Sequence, residues 1–271
     1  EKHADAIINS PSHGQHHTRP FIQRLIIGMP YMPDHQLIER YTDNIPRHEI
    51  TILHCPSYPE GKGTPGIQAA IKSLKSKGHA INFIEVTDRP NREVLELIGQ
   101  CDFVIDQLYS DMAMVGFAME AAFFGKPAVV GGYYASHQAN DIAPEWIPPS
   151  ALCLPEQIET EIEKLIIDKD YRHQLGLKAQ DFVQTRWVAS QAAKRIIAIA
   201  KGDYPKEWVY DPQNCDYING MGLNKRDLHK IMVGLHQRHG LAAFRLEDKP
   251  LIEQQIKEFV SECSIFGETL R

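Results

Sequence analysis

Lys62 stands between two glycines, Gly61 and Gly63, and Thr64 follows, shortly after the run Ile50-Thr51-Ile52-Leu53-His54. Glycine lets backbone N–H groups approach an anion closely, and a helix N-terminus adds free donors and a partial positive charge. Lysine supplies a full charge, and Thr64 can cap the helix that follows. The loop is neither a Walker A loop nor a G-x-G-x-x-G loop. Its composition equally describes a strand-to-helix turn with an exposed lysine. A second group is Glu120, set among Ala118, Met119, Ala121 and Ala122 and preceded by Phe103-Val104-Ile105-Asp106-Gln107. A carboxylate so placed can accept both hydroxyls of a ribose. The competing reading is a helix-surface glutamate, alone or paired with Lys126. His54 and Asp106 close their two apolar runs, where either could face a ligand or simply pack.

These groups need a frame. Residues 50–54, 80–86, 103–106 and 128–130 read as strands, and the first is continuously apolar or β-branched, as buried parallel strands are. Ile67, Ala70, Ile71 and Leu74 recur at helical spacing, and Gly78 stops that helix. Asn91 is expected to cap a helix reaching Gln100. A further helix is expected over 115–124. The alternation β-α-β-α-β-α-β predicts an α/β fold, a doubly wound parallel sheet with ligands at the C-terminal strand ends. Helices are also expected over 157–167, 171–185 and 189–201. Leu25-Ile26-Ile27-Gly28 reads as a short strand or loop. Residues 1–20, rich in His and Pro, read as a linker with a short strand near Ile7. Breaks at Gly202-Asp203-Tyr204-Pro205 separate the 21–201 domain from a helical extension, 202–271, with helices over 225–238 and 250–263.

The chain has 271 residues, 43% of them apolar and 24% charged, as soluble globular proteins have. A formal net charge of −6 argues against general nucleic-acid binding. No apolar run reaches the ~18 residues that span a bilayer, and the N-terminus lacks the pattern of a signal peptide. The five cysteines are scattered without a C-x-x-C pair, which favours free thiols and a cytoplasmic location. His13, His16 and His17 lack the spacing of a metal site, so no metal and no cofactor are expected. Lys225, Arg226, Lys230, Arg238 and His239 form a basic stretch that could meet a membrane surface, though a solvated helix face is the default.

The order Ile52-Leu53-His54-Cys55-Pro56-Ser57, Lys62-Gly63-Thr64, Cys101 to Leu108, then Glu120-Ala121-Ala122-Phe123-Phe124-Gly125-Lys126-Pro127 resembles the C-terminal lobe of GT-B glycosyltransferases, nearest the family-4 retaining group. The resemblance covers about residues 20–200. It implies a Rossmann-like lobe that binds a nucleotide-diphosphate sugar and transfers the sugar to a glycan or lipid-linked acceptor with retention. It gives Lys62 and Glu120 catalytic roles, on the diphosphate and the ribose. Gly61, Gly63, Thr64 and Gly116 would lie along the donor, and Thr87 and Arg89 beside the base. The first acid of the family's E-x7-E motif falls at Met112, so Asp111 is expected to substitute. The family also has an N-terminal lobe with the acceptor site, which is expected to be missing here. A non-catalytic binding module and a GT-B-shaped sugar-nucleotide epimerase are the alternatives.

Overall fold

The computed structural model describes residues 2–41, 48–219 and 222–262. Its strands are β1 (Ile8–Asn9), β2 (Phe21–Gln23), β3 (Ile50–His54), β4 (Ile81–Glu85), β5 (Phe103–Gln107), β6 (Ala128–Gly131), β7 (Ala151–Cys153) and β8 (Val209–Tyr210). The first helices are α1 (Arg24–Ile27), α2 (His35–Arg40), α3 (Thr64–Ser76), α4 (Asn91–Gln100), α5 (Gly116–Phe123) and α6 (Gln138–Asp141). The remainder are α7 (Ile158–Ile167), α8 (Lys169–Phe182), α9 (Ala189–Ala200), α10 (Lys225–His239) and α11 (Pro250–Ser261).

Five parallel strands form the main sheet in the order β4-β3-β5-β6-β7. Alternation along each strand fills two cores. Ile52, Phe103, Ile105 and Val129 pack with Ile67, Ile71 and Leu74 of α3 and Ile162 of α7. Leu53, Val104 and Val130 pack on the opposite face with Leu95 of α4 and Ala118, Ala121 and Ala122 of α5. The strand order reverses between β3 and β5, where the helices leave to opposite faces and a crevice opens at the C-terminal edge. The doubly wound α/β fold expected from the sequence is what the chain adopts.

Four expectations need correction. β7 is an additional strand, too short to give a periodic signal. Residues 24–27 are helical, because Leu25, Ile26 and Ile27 are all buried in a single turn closed by Gly28. Asn91 is the first residue of α4 and Pro90 its N-cap, so the Asn91 amide is released for another partner. Finally, residues 8–16 are not a bare linker. β1 pairs with β2, β2 pairs with β8, and Ser10, Pro11, Ser12 and Gly14 are buried. The end of α8 runs through a π turn, Val183–Trp187, before α9 begins.

The extension is helical in α10 and α11, ending at Ser261; Cys263 lies outside the described residues. Before α10 it is mostly irregular, and it folds back over the C-terminal edge of the sheet. The Gly222 N–H donates to Tyr109 O at 3.1 Å, and the Lys225 N–H to the Tyr133 hydroxyl at 3.3 Å. Among the described residues, no helix is long and apolar enough to cross a membrane.

Candidate functional site

β3 and β5 deliver His54 and Asp106 side by side at the switch point. A register shift between Ile105 and Gln107 in the β5–β6 pairing marks a bulge at Asp106, which re-aims its side chain. Asp106 is 1% exposed. Its Oδ1 accepts from Lys62 Nζ at 3.1 Å, while its Oδ2 is buried without a hydrogen-bond partner. A buried carboxylate needs a paired cation, and Lys62 provides it while keeping part of its ammonium in reach of solvent.

His54 is fully buried. Its Nδ1 lies 2.8 Å from Ile105 O and its Nε2 lies 2.9 Å from Thr64 Oγ1. A carbonyl can only accept, so Nδ1 carries the proton and Nε2 accepts from the threonine hydroxyl. Burial lowers the histidine pKa, the Ile105 carbonyl partly opposes this, and the ring stays neutral. His54 is thus a clasp between β3 and α3, not a proton carrier.

That clasp corrects the reading of Thr64, whose hydroxyl is spent on His54 and neither caps α3 nor faces a phosphate. Gly63 is the N-cap, at a left-handed φ of 72°. A Cβ there would also lie 2.5 Å from Leu108 Cβ, so both conformation and contact require glycine. The loop satisfies its own donors: Lys62 N to Tyr58 O, Gly63 N to Glu60 O, Thr64 N to Pro59 O and Gly66 N to Gly63 O. The start of α3 is therefore no open anion cradle, and Gly61 and Gly63 serve the turn. The start of α5 differs: its N-cap, Val115, supplies no side-chain cap, and Gly116 is exposed with open space where a Cβ would sit.

Glu120 is half-buried on α5, and its Oε1 accepts from Asn91 Nδ2 at 2.9 Å. Asn91 is thus its partner here, where the sequence suggested Lys126. Burial raises the Glu120 pKa, Asn91 opposes the rise, and the Asp106 charge adds to it. The same glutamate helps burial push the Cys55 thiol up to about 12. Lys62 and Glu120 belong to elements on opposite faces of the sheet, and Asp106 is their common neighbour, paired with one and repelling the other.

Asp111 does not replace the absent acid at Met112. It is buried, its Oδ1 accepts from the Tyr217 hydroxyl at 2.6 Å, and His13 Nε2 lies 3.8 Å from its Oδ2. The extension has taken this carboxylate as its anchor. Tyr217→Phe removes that donor and should cost about 1–3 kcal/mol. Amide exchange across residues 209–219 should quicken with it, as mass spectrometry would read; unchanged exchange would contradict the anchoring role. Thr87 and Arg89 are exposed past β4, with Arg89 3.5 Å from Glu93, and neither meets Lys62 or Glu120.

The sequence reading missed the extension's part in the site. A cleft of about 620 Å³ runs between the Lys62 loop and the segment Gly222 to Asp227, with Gln107 and Tyr109 at its floor. Lys62 lines it; Glu120 does not. Among the described residues no group of three or more metal-ligating side chains occurs.

No family model and no curated protein matches the sequence. Similar solved structures include a sucrose-phosphate synthase from Thermosynechococcus elongatus, at 16% identity and a TM-score of 0.48, matching 74% of this chain and 58% of that one. WaaG, a glycosyltransferase involved in lipopolysaccharide biosynthesis, matches at 16% identity and a TM-score of 0.45, over 66% of this chain and 56% of its own. A Listeria monocytogenes protein described as a UDP-N-acetylglucosamine 2-epimerase follows at 15% and 0.32, over 64% and 49%. The chain spans less than two thirds of each of these structures. At such scores the likenesses carry no functional argument, and the fold stands on its strand order.

Proposed function

We infer that the C-terminal edge of the sheet binds a nucleoside diphosphate, as the donor half of a GT-B-type retaining glycosyltransferase. The observation that carries this reading is the Lys62–Asp106 pair at the switch point, beside an α5 start without a side-chain cap. Lys62 and the first N–H groups of α5 take the diphosphate and stabilise the charge it develops on leaving. Glu120, on the same helix as that N-terminus, takes the ribose hydroxyls, with Asn91 orienting its carboxylate. The acceptor, a glycan or a lipid-linked sugar, is supplied with a second lobe. A cytoplasmic site, with the basic residues of α10 turned to a membrane's inner face, suits such an acceptor.

Calorimetric titration against nucleoside diphosphates tests the ribose contact. Glu120→Gln should weaken binding about tenfold or more, since a charge-assisted hydrogen bond becomes a neutral one. Equal affinities would remove Glu120 from the site. Acidification should weaken wild-type binding at a higher pH than an ordinary glutamate would allow, because burial raises this pKa. The stability effect has the opposite sign. The folded state holds the Glu120 proton more tightly, so its stabilising contribution is complete below the unfolded value near 4.5 and disappears as pH rises through the raised pKa. At neutral pH the glutamine variant should therefore melt no lower than wild type.

A non-catalytic binding module is the second reading. It is favoured by the capture of Asp111 by Tyr217, which leaves the E-x7-E pattern without its first acid. Nucleoside diphosphate binding without hydrolysis or transfer of the sugar nucleotide would decide for it.

A further inference from the structure

We propose that Arg186 and Arg195, gathered on the Trp146 ring, form a binding site for a phosphate monoester, apart from the crevice at the switch point. Arg186 stands in the π turn that joins α8 to α9, and Arg195 lies on α9 itself. Trp146 comes from the connection between β6 and β7. The central carbon of Arg186 lies 5.0 Å from the Trp146 ring centroid, and that of Arg195 lies 5.1 Å from it. Three segments distant in sequence thus converge on one indole. Trp187, completely buried in the same turn, fixes the backbone that presents Arg186.

What points to a ligand is charge without a counter-charge. Among the described residues neither arginine forms an ion pair, although the chain carries a formal net charge of −6. Glu145, next to Trp146 in sequence, is exposed and pairs with neither. Arg195 Nη1 is spent on the backbone, donating to Ile27 O at 3.4 Å and to Arg186 O. The Arg186 guanidinium meets only ring faces, those of Trp146 and Phe182. An aromatic face attracts a cation but offers no acceptor oxygen. Both side chains are half-buried, which weakens the screening of two like charges. Burial and the Arg186 charge both lower the Arg195 pKa, and no carboxylate opposes them. An oxoanion would relieve that repulsion and accept paired hydrogen bonds from the guanidinium forks.

A phosphate monoester suits the pair better than a carboxylate does. It carries a charge of about −1.5 to −2 near neutral pH, enough for two guanidiniums, where a carboxylate would neutralise one. None of these residues lines the Lys62 cleft, so the site stands whether or not the crevice takes a diphosphate. The ester is either a soluble phosphate or a lipid headgroup. Ile196 and Ile197, exposed directly after Arg195, would meet the bilayer in the second case.

Nitrogen-15 correlation NMR on the full 271-residue chain tests the proposal through its three tryptophan indole signals, that of Trp146 assigned with Trp146→Phe. Inorganic phosphate and glycerol 3-phosphate should shift the Trp146 signal. They should leave in place that of Trp187, whose indole N–H is held on Leu25 O inside the core. Arg186→Gln removes a charge but no side-chain hydrogen bond of the fold. It should raise the Kd for glycerol 3-phosphate about tenfold, with the melting temperature checked in parallel. Arg186→Lys, which keeps the charge and loses the fork, should fall between. Sedimentation with phosphatidylcholine vesicles, with and without phosphatidic acid, separates the two sources. Capture that needs phosphatidic acid and weakens in Arg186→Gln assigns the ester to a lipid; soluble esters bound without such capture assign it to a soluble phosphate. The proposal is overturned by undiminished binding to both Arg186 variants, or by a Trp146 shift that chloride matches at equal ionic strength. No Trp146 response to either phosphate, together with no capture by phosphatidic acid, overturns it as well.

Discussion

Lys62→Ala should lose nucleoside diphosphate binding and melt on the order of 10 °C below wild type, and these losses should be separable. Lys62 is the hydrogen-bond partner of Asp106, whose side chain has no exposed surface. Removal of one partner of a buried pair leaves an uncompensated charge and costs about 3–5 kcal/mol. Lys62 is itself 21% exposed, so water can enter the vacated space and the cost should fall at the lower end. The double variant Lys62→Ala with Asp106→Asn removes the stranded charge. It should recover most of the stability and none of the binding. If the double variant melts as low as the single one, the Lys62 stem matters more than its charge. If the single variant melts like wild type, the pair is not the electrostatic centre of the crevice.

Trp187→Ala should be the most destabilising single change away from the crevice, at about 3–5 kcal/mol. Trp187 is completely buried in the π turn between α8 and α9. Its Nε1 donates to Leu25 O at 3.0 Å, and its ring meets Phe182 edge-on at 5.3 Å. The backbone of Gly28 presses so close that a Cβ there would lie 2.4 Å from the indole. One side chain thus fastens the 21–28 segment to the end of the α/β domain. Its loss opens a large cavity and also deprives the Leu25 carbonyl of its donor. Urea unfolding followed by circular dichroism measures the change. Trp187→Phe, which keeps much of the volume but not the N–H, should fall between the two. A loss below about 1 kcal/mol for Trp187→Ala would mean the segment is held elsewhere.

The sheet was legible because its physics is local. β3 and β5 open as apolar or β-branched runs and close on His54 and on Asp106-Gln107, and the Ile67, Ala70, Ile71, Leu74 spacing of α3 marks one face of a helix whatever it packs against. Their alternation gives a doubly wound sheet with ligands at the C-terminal strand ends; that the order reverses between β3 and β5 is seen only in the pairing. What was not legible depends on contacts distant in sequence. The bulge at Asp106 is a property of the pairing with β6, and nothing within β5 announces it. The role of Thr64 turned on His54, and Gly63 reads equally as a phosphate glycine or as the glycine that Leu108 demands. Asp111 was a reasonable substitute acid until Tyr217, more than a hundred residues later, proved to hold it. The extension is mostly irregular over 211–219, where periodicity gives no signal; Tyr217 of that stretch anchors on Asp111, and Gly222 to Asp227 wall the cleft. Gln107, which lines the cleft, follows Asp106 at the end of β5, and nothing local to the strand distinguishes it from an ordinary strand residue.

Titration calorimetry with UDP, GDP, ADP and dTDP, on wild type and on the Lys62→Ala, Asp106→Asn double variant, tests the central claim most directly. At least one of the four should bind wild type and fail to bind the double variant, whose fold is kept. No binding of any of them to wild type, or equal binding to both proteins, would contradict a diphosphate site at the β3–β5 switch point.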